Sequence, residues 1–180
     1  MLKTALKLAL IALASAPLTF AAKAEASDRD RRFFQNVQGN WTGPGEIVAG
    51  KYKGTKFVCN FEGGTPENAV GMALDGSCRV GVFTQPMKAS VVRSKSGYKG
   101  TFLDGAAGKG LDVTSGKVTG NDVVFALNRS TLSGAMRARV TGQDTLHITI
   151  SVRVEEEMVP VIGMKLKRVD SSAVGAIAKN

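Results

Sequence analysis

From Gly39 onward, apolar and polar residues alternate in short runs broken by Gly, Asn and Asp, with no long helical stripe among them. A repeat of two is the repeat of a β-strand, whose successive side chains point to opposite faces. Residues 40–48 place Trp41, Gly43, Gly45 and Ile47 on one face. Residues 55–62 set Phe57, Cys59 and Phe61 against Lys56, Asn60 and Glu62. Residues 72–83 form a longer run interrupted at Asp75-Gly76, a turn or bulge signal. Runs at 87–94, 98–104, 111–118 and 121–128 follow, the last carrying Val123, Phe125 and Leu127. Residues 131–141 alternate Leu132, Met136, Ala138 and Val140 with Ser133, Arg137 and Arg139. Residues 145–154 set Leu146, Ile148, Ile150, Val152 and Val154 against His147, Thr149, Ser151 and Arg153, and 161–169 ends the series.

One apolar and one polar face per strand, with short connections, describe an antiparallel sheet wet on one side. Closing the meander removes the exposed edges that invite aggregation. The predicted class is all-β: a single antiparallel meander closing into a small β-barrel of about 8–10 strands, with a short N-terminal helix. The 21 glycines suit tight turns and barrel corners. Residues 25–38 are charged and polar around Phe33 and Phe34, with Ser27 as the expected N-cap of a helical lead-in. The barrel domain is expected over 39–169 and a C-terminal tail over 170–180.

The first residues read differently. Lys3 and Lys7 precede an apolar run over 8–18, and Ala22-Lys23-Ala24 fits a signal-peptidase site, with Ala24-Glu25-Ala26 as the alternative. The run is shorter than the roughly 20 residues that span a bilayer. Residues 1–24 are therefore expected to be a cleaved signal peptide, and the mature chain periplasmic or secreted, with no integral membrane span. Cleavage removes Lys3, Lys7 and Lys23 and no acid, lowering the net charge from +9 to +6. In an oxidising compartment the two cysteines, Cys59 and Cys78, read as a disulfide. It closes a loop of about 20 residues, a constraint worth around 3 kcal/mol.

The stretch Phe33-Phe34-Gln35-Asn36-Val37-Gln38-Gly39-Asn40-Trp41 resembles the start of calycin (lipocalin-like) barrels, where a short helix leads into a Gly-x-Trp first strand. That resemblance implies a basic residue on the last strand, packed across the tryptophan. Met164-Lys165-Leu166-Lys167-Arg168-Val169 fits the position, and alternation places Arg168 on the face of Ile162, Met164 and Leu166. A guanidinium on an apolar face finds a partner in the Trp41 ring by cation–π stacking, so Trp41 and Arg168 are expected to latch the two ends of the barrel. The chain also resembles, more narrowly, the small periplasmic metalloprotease-inhibitor barrels, which begin with Gly-x-Trp and carry one disulfide.

Function is read from what faces inward and outward. Trp41, Phe57, Phe61, Phe102, Phe125, Met136, Ile148 and Met164, with Ile47 and Ile150, form the expected interior. A barrel of this size is filled by its own side chains or holds one small ligand, and the pattern leaves both open. Gly43, Gly45, Gly100, Gly134 and Ala138 are expected to leave space inside. Arg137, Arg139, Arg153, Lys165 and Lys167 fall outward on three consecutive strands and form an expected basic stripe suited to anionic envelope lipid or polysaccharide. Nucleic acid is not expected, because aromatics do not interleave with these bases.

His147, the sole histidine, falls on the wet face without an orienting acid or nucleophile. The glycine-rich segment 105–110 has the wrong spacing for a phosphate loop and lacks its hydroxyl residue. Glu155, Glu156 and Glu157 read as a solvated turn, since adjacent acids seldom converge on a cation. No metal, cofactor or catalytic set is expected. The leading expectation is a non-enzymatic barrel binding a small apolar or amphipathic ligand. The rival is a protein-interaction barrel, a protease inhibitor or envelope structural factor, making contact through residues 25–38 or a loop rim.

Overall fold

The computed structural model describes residues 19–95, 97–103 and 110–169. Helix α1 (Thr19–Asn36) precedes ten strands: β1 (Gly39–Ile47), β2 (Lys56–Gly64), β3 (Gly71–Val80), β4 (Phe83–Ser94), β5 (Gly97–Leu103), β6 (Leu111–Thr119), β7 (Asp122–Arg129), β8 (Leu132–Thr141), β9 (Thr145–Val154) and β10 (Glu157–Val169). Neighbours in sequence pair antiparallel throughout, and β1 pairs with β10 to close the barrel. The up-and-down order sorts the connections. The β1–β2, β3–β4, β5–β6, β7–β8 and β9–β10 links share one end; the other four and α1 share the opposite end.

The helix seals its end because of its spacing. Asp30, Phe33, Phe34 and Val37 are buried, while Arg29, Arg31, Arg32 and Gln35 are exposed. Positions i, i+3, i+4 and i+7 make one helical stripe, and that stripe enters the barrel. α1 starts upstream of Ser27, which therefore lies within the helix and is not its cap.

Two strand boundaries differ from those expected. β3 runs unbroken through Asp75-Gly76, with Asp75 opposite Lys88 and ion-paired to it at 2.5 Å. Gly76 serves close approach: a Cβ there would lie 2.1 Å from the Asn60 carbonyl oxygen and 2.7 Å from the Phe61 ring. The real turn lies at Gly81-Val82, where Gly81 has φ +57°, so β4 starts at Phe83 and passes through Pro86. β10 likewise starts at Glu157, ahead of the expected 161, and its register shifts between Pro160 and Ile162. A proline lacks the ladder donor and a bulge breaks the period of two, so both segments lose the alternation that marks a strand.

Cys59 and Cys78 stand directly opposite on β2 and β3 and form the disulfide, Cα to Cα 4.0 Å. Glu155 and Glu156 form the exposed β9–β10 turn. Segment 105–109 and the expected tail 170–180 lie outside the described residues, as do residues 1–18 of the expected signal peptide.

Candidate functional site

The two chain ends of the barrel meet at Trp41. This ring is 2% exposed, and Trp41 stands opposite Arg168 in the β1–β10 register. The Arg168 guanidinium lies over the indole at 4.3 Å, and the Trp41 Nε1–H donates to the Val37 carbonyl at 3.0 Å. Arg168 also donates to three carbonyls: Asn36 from Nη2 at 2.7 Å, Gln143 from Nε at 3.0 Å, and Gln38 from Nη1. Asn36 and Gln38 lie at the C-terminus of α1, where carbonyls are left without helical donors. A cation is favoured there by the helix dipole. One side chain thus joins β10, β1, the helix end and the β8–β9 turn.

A second tie holds the helix from its buried face. The Tyr98 hydroxyl donates to Asp30 Oδ2 at 2.7 Å, and Arg93 Nη1 donates to the same oxygen at 3.2 Å. Burial pushes the Tyr98 hydroxyl well above its ordinary range, and the Asp30 carboxylate reinforces the shift by hydrogen bond and charge. Aromatic edges continue inward from here. Ring centroids are 5.4 Å apart for Phe34–Tyr98, 5.7 Å for Tyr98–Phe125 and 6.4 Å for Phe102–Phe125.

Beyond this plug the barrel is hollow. A cavity of about 310 Å³ runs from Phe33, Val37 and Trp41 at the sealed end to Arg129, Leu132, Ser133 and Ser151 at the other. That volume lies at the lower end of small-ligand pockets. Its wall is apolar between those limits, built by Phe61, Met72, Leu74, Met136, Ile148, Ile150, Met164 and Leu166 among others. Polar groups enter only at the mouth. A cleft of about 450 Å³ also lies on the outer face of β2–β5, edged by Glu62, Asp75 and Lys88; it is a surface hollow outside the barrel.

Of the residues expected inside, Trp41, Phe61, Phe102, Met136, Ile148 and Met164 line the cavity, as does Ile150. Phe57 and Phe125 face inward but stay off its wall. Phe125 is fully buried among Tyr98 and Phe102, and Phe57 packs where Gly45 would carry a Cβ, 2.3 Å away. The small inward residues were expected to leave room: Gly134 and Ala138 line the cavity, and Gly43, Gly45 and Gly100 do not. A Cβ on Gly43, Gly100 or Gly134 would meet a neighbouring backbone oxygen at 2.2, 1.9 or 2.4 Å, of Lys165, Ser90 and Ser151. These glycines let strands cross closely in a coiled wall, and the hollow comes from ten strands enclosing more than their side chains fill.

The outward bases are exposed on β8, β9 and β10, but two acids at the sealed end, Asp122 at the start of β7 and Asp144 in the β8–β9 turn, hold three of them. Asp122 accepts from Arg137 Nε and Arg139 Nε, both at 2.7 Å. The hydrogen bond from Arg137 leads in holding the Asp122 carboxyl below the usual carboxylate range, with Arg139 adding to it. Asp144 accepts from the Thr145 hydroxyl at 2.8 Å and from Lys167 Nζ at 3.0 Å, which hold it low in that order. Arg153 and Lys165 have no acid partner among the described residues. His147 stands outward between Arg139 and Lys165 in the strand register. Among the described residues no three His, Cys, Asp or Glu side chains converge as a metal site.

The plug and the Asp30–Tyr98–Arg93 tie went unread in the sequence. The stripe at 30, 33, 34 and 37 was there to find, but Asp30 and Tyr98 are 68 positions apart and nothing local links them.

No protein-family model matches the chain, and no curated protein matches it. Among solved structures, the crystal structure of Rv2717c from M. tuberculosis is similar at a TM-score of 0.47 and 12% identity, over 78% of this chain and 98% of that one. So remote a likeness leaves ligand and activity to the chain's own residues.

Proposed function

We propose that this chain is an exported, non-enzymatic binding barrel of calycin type that takes a small apolar or amphipathic ligand into its interior. The observation that carries the reading is the apolar cavity of about 310 Å³, sealed by α1 at one end and polar only at its mouth. An alkyl or ring system buried there leaves water at about 25 cal/mol per Å² of apolar surface, while a polar end stays at Ser133 and Ser151. The stack of Arg168 on Trp41, 4.3 Å apart, supports the calycin kinship, and the signal-like residues 1–24 support export. The arm-insertion form of the protein-partner reading is disfavoured, because Phe33, Phe34 and Val37 are buried in the barrel. A partner protein would have to be met elsewhere.

Trp41 is the only tryptophan and lines the cavity, so it reports occupancy directly. Titration with a medium-chain fatty acid is expected to change its emission saturably. Ala138, on the cavity wall, offers the control: Ala138→Phe fills the space and is expected to abolish the change while the protein still folds. A flat titration in the native chain, together with purified protein that carries no extractable lipid, would sink the proposal.

A further inference from the structure

Apolar exposure on this barrel is one-sided. Nine of the twelve large apolar side chains exposed among the described residues sit at or beside the mouth. The other three, Val58, Val92 and Val124, stand singly on the wall, and the sealed end has none among its described residues. The tips are extreme: Val82 is 89% exposed, Phe83 79% and Tyr52 63%. Hairpin tips are normally polar, and scattered single exposures need no explanation. A group of them at the end of the barrel where an apolar cavity opens does.

Charge chooses the occupant. The β1–β2 and β3–β4 links are neighbours around the rim. Lys51, Lys53, Lys56 and Arg79 flank Tyr52, Val82 and Phe83 there, against the single acid Glu46. The Lys51 ammonium lies over the Tyr52 ring at 5.4 Å. Glu155, Glu156 and Glu157 belong to the β9–β10 hairpin, on the other side of β1. Separate apolar tips interleaved with bases match a lipid surface, where apolar side chains enter the headgroup boundary and bases meet anionic phosphates. A flat protein interface wants a continuous packed centre instead.

We infer that the β1–β2 and β3–β4 tips dock the barrel mouth on an anionic lipid bilayer, with the Glu155–Glu157 hairpin tilted away. The inference builds on the cavity reading, since docking there lets an apolar ligand pass between bilayer and barrel without crossing water.

The test is co-sedimentation of the exported protein with phosphatidylethanolamine–phosphatidylglycerol vesicles and with phosphatidylcholine vesicles. Uptake of a fluorescent fatty acid in vesicle-free solution is measured alongside. Binding to the anionic vesicles is expected. Val82→Ser/Phe83→Ser should weaken it by about tenfold or more, and Lys51→Glu/Lys53→Glu by a comparable factor on anionic vesicles only. Both variants change exposed residues and should keep native melting and fatty-acid uptake. Failure of the native protein to bind either vesicle, or undiminished binding by Val82→Ser/Phe83→Ser, overturns the docking surface. Equal binding to both vesicles overturns its electrostatic half. Vesicle binding without fatty-acid uptake removes the cavity reading and leaves the docking surface standing.

Discussion

The two ends of this barrel are built from opposite materials. At the sealed end the helix stripe is buried, Arg168 joins four segments, Tyr98 and Arg93 hold Asp30, and Asp122 and Asp144 gather the bases of β8 and β10. At the mouth end the links carry exposed Val82, Phe83, Tyr52 and Leu132, the last of them on the cavity wall. The difference separates two duties. Polar groups that are buried must be paired, and pairing them fixes the chain ends and makes the fold unique. Groups left exposed and apolar contribute little to folding and are available for contact. The sealed end holds the barrel together; the mouth is where it can meet something.

The sharpest way to break that division is to truncate one large aromatic at each end. Trp41→Ala removes a ring that is 2% exposed and leaves Arg168 above a void, so a loss of about 3–5 kcal/mol is expected in urea unfolding. Phe83→Ser removes a ring 79% exposed and should stay within about 0.5 kcal/mol of native. A Trp41→Ala/Arg168→Gln cycle should show coupling of about 0.5–3 kcal/mol. Additive effects would mean that the stack is a neighbourhood and not a bond, and would remove the support it gives to the calycin reading.

How much of this was legible in the sequence follows the same line. The period of two found a run for each strand but misplaced the bounds of β3, β4 and β10. It served best where a strand keeps its alternation, as Leu146, Ile148 and Ile150 do against His147, Thr149 and Ser151. It failed where local chemistry served packing, as at Gly76, which reads as a turn and is a point of close approach to Phe61. Arg168 was legible because the resemblance to calycin barrels implies a basic residue on the last strand, and alternation sets Arg168 on an apolar face where a cation demands a partner. The hollow was not legible, since it depends on how ten strands share one perimeter and no single residue reports that. Nor was the mouth, because Val82-Phe83 beside Gly81 reads as strand interior until the true turn is known.

A smaller effect tests the helix tie by pH. Tyr98→Phe removes the hydroxyl that donates to Asp30 at 2.7 Å and leaves a buried carboxylate short of a donor, at a cost of about 1–3 kcal/mol. The Tyr98 hydroxyl is raised above the unfolded value of about 10, so the folded chain holds that proton longer than the unfolded one. Its contribution is therefore fully present below about pH 10 and is lost as the pH climbs beyond. Thermal melts of the native chain should fall along this alkaline limb, and those of Tyr98→Phe should fall less. Parallel limbs would show that the plug holds by its apolar stripe alone.

The mildest effect is at the turns of the same end, and its sign is opposite. Asp122 is held below the usual carboxylate range by Arg137 and Arg139, so the folded state releases its proton more readily than the unfolded chain. The stabilisation is present above the unfolded value of about 3.9 and disappears as the pH falls through the lower folded value. Both arginines are about half exposed, so solvent screening keeps the contribution below about 1 kcal/mol. Asp122→Asn should thus melt slightly below native at neutral pH and low salt, with the gap closing in acid and in high salt. Arg153→Gln, whose side chain has no acid partner among the described residues, should show no such gap. An Asp122→Asn deficit that high salt leaves undiminished would assign the residue to turn geometry and leave the closing electrostatics to Asp144 and Lys167.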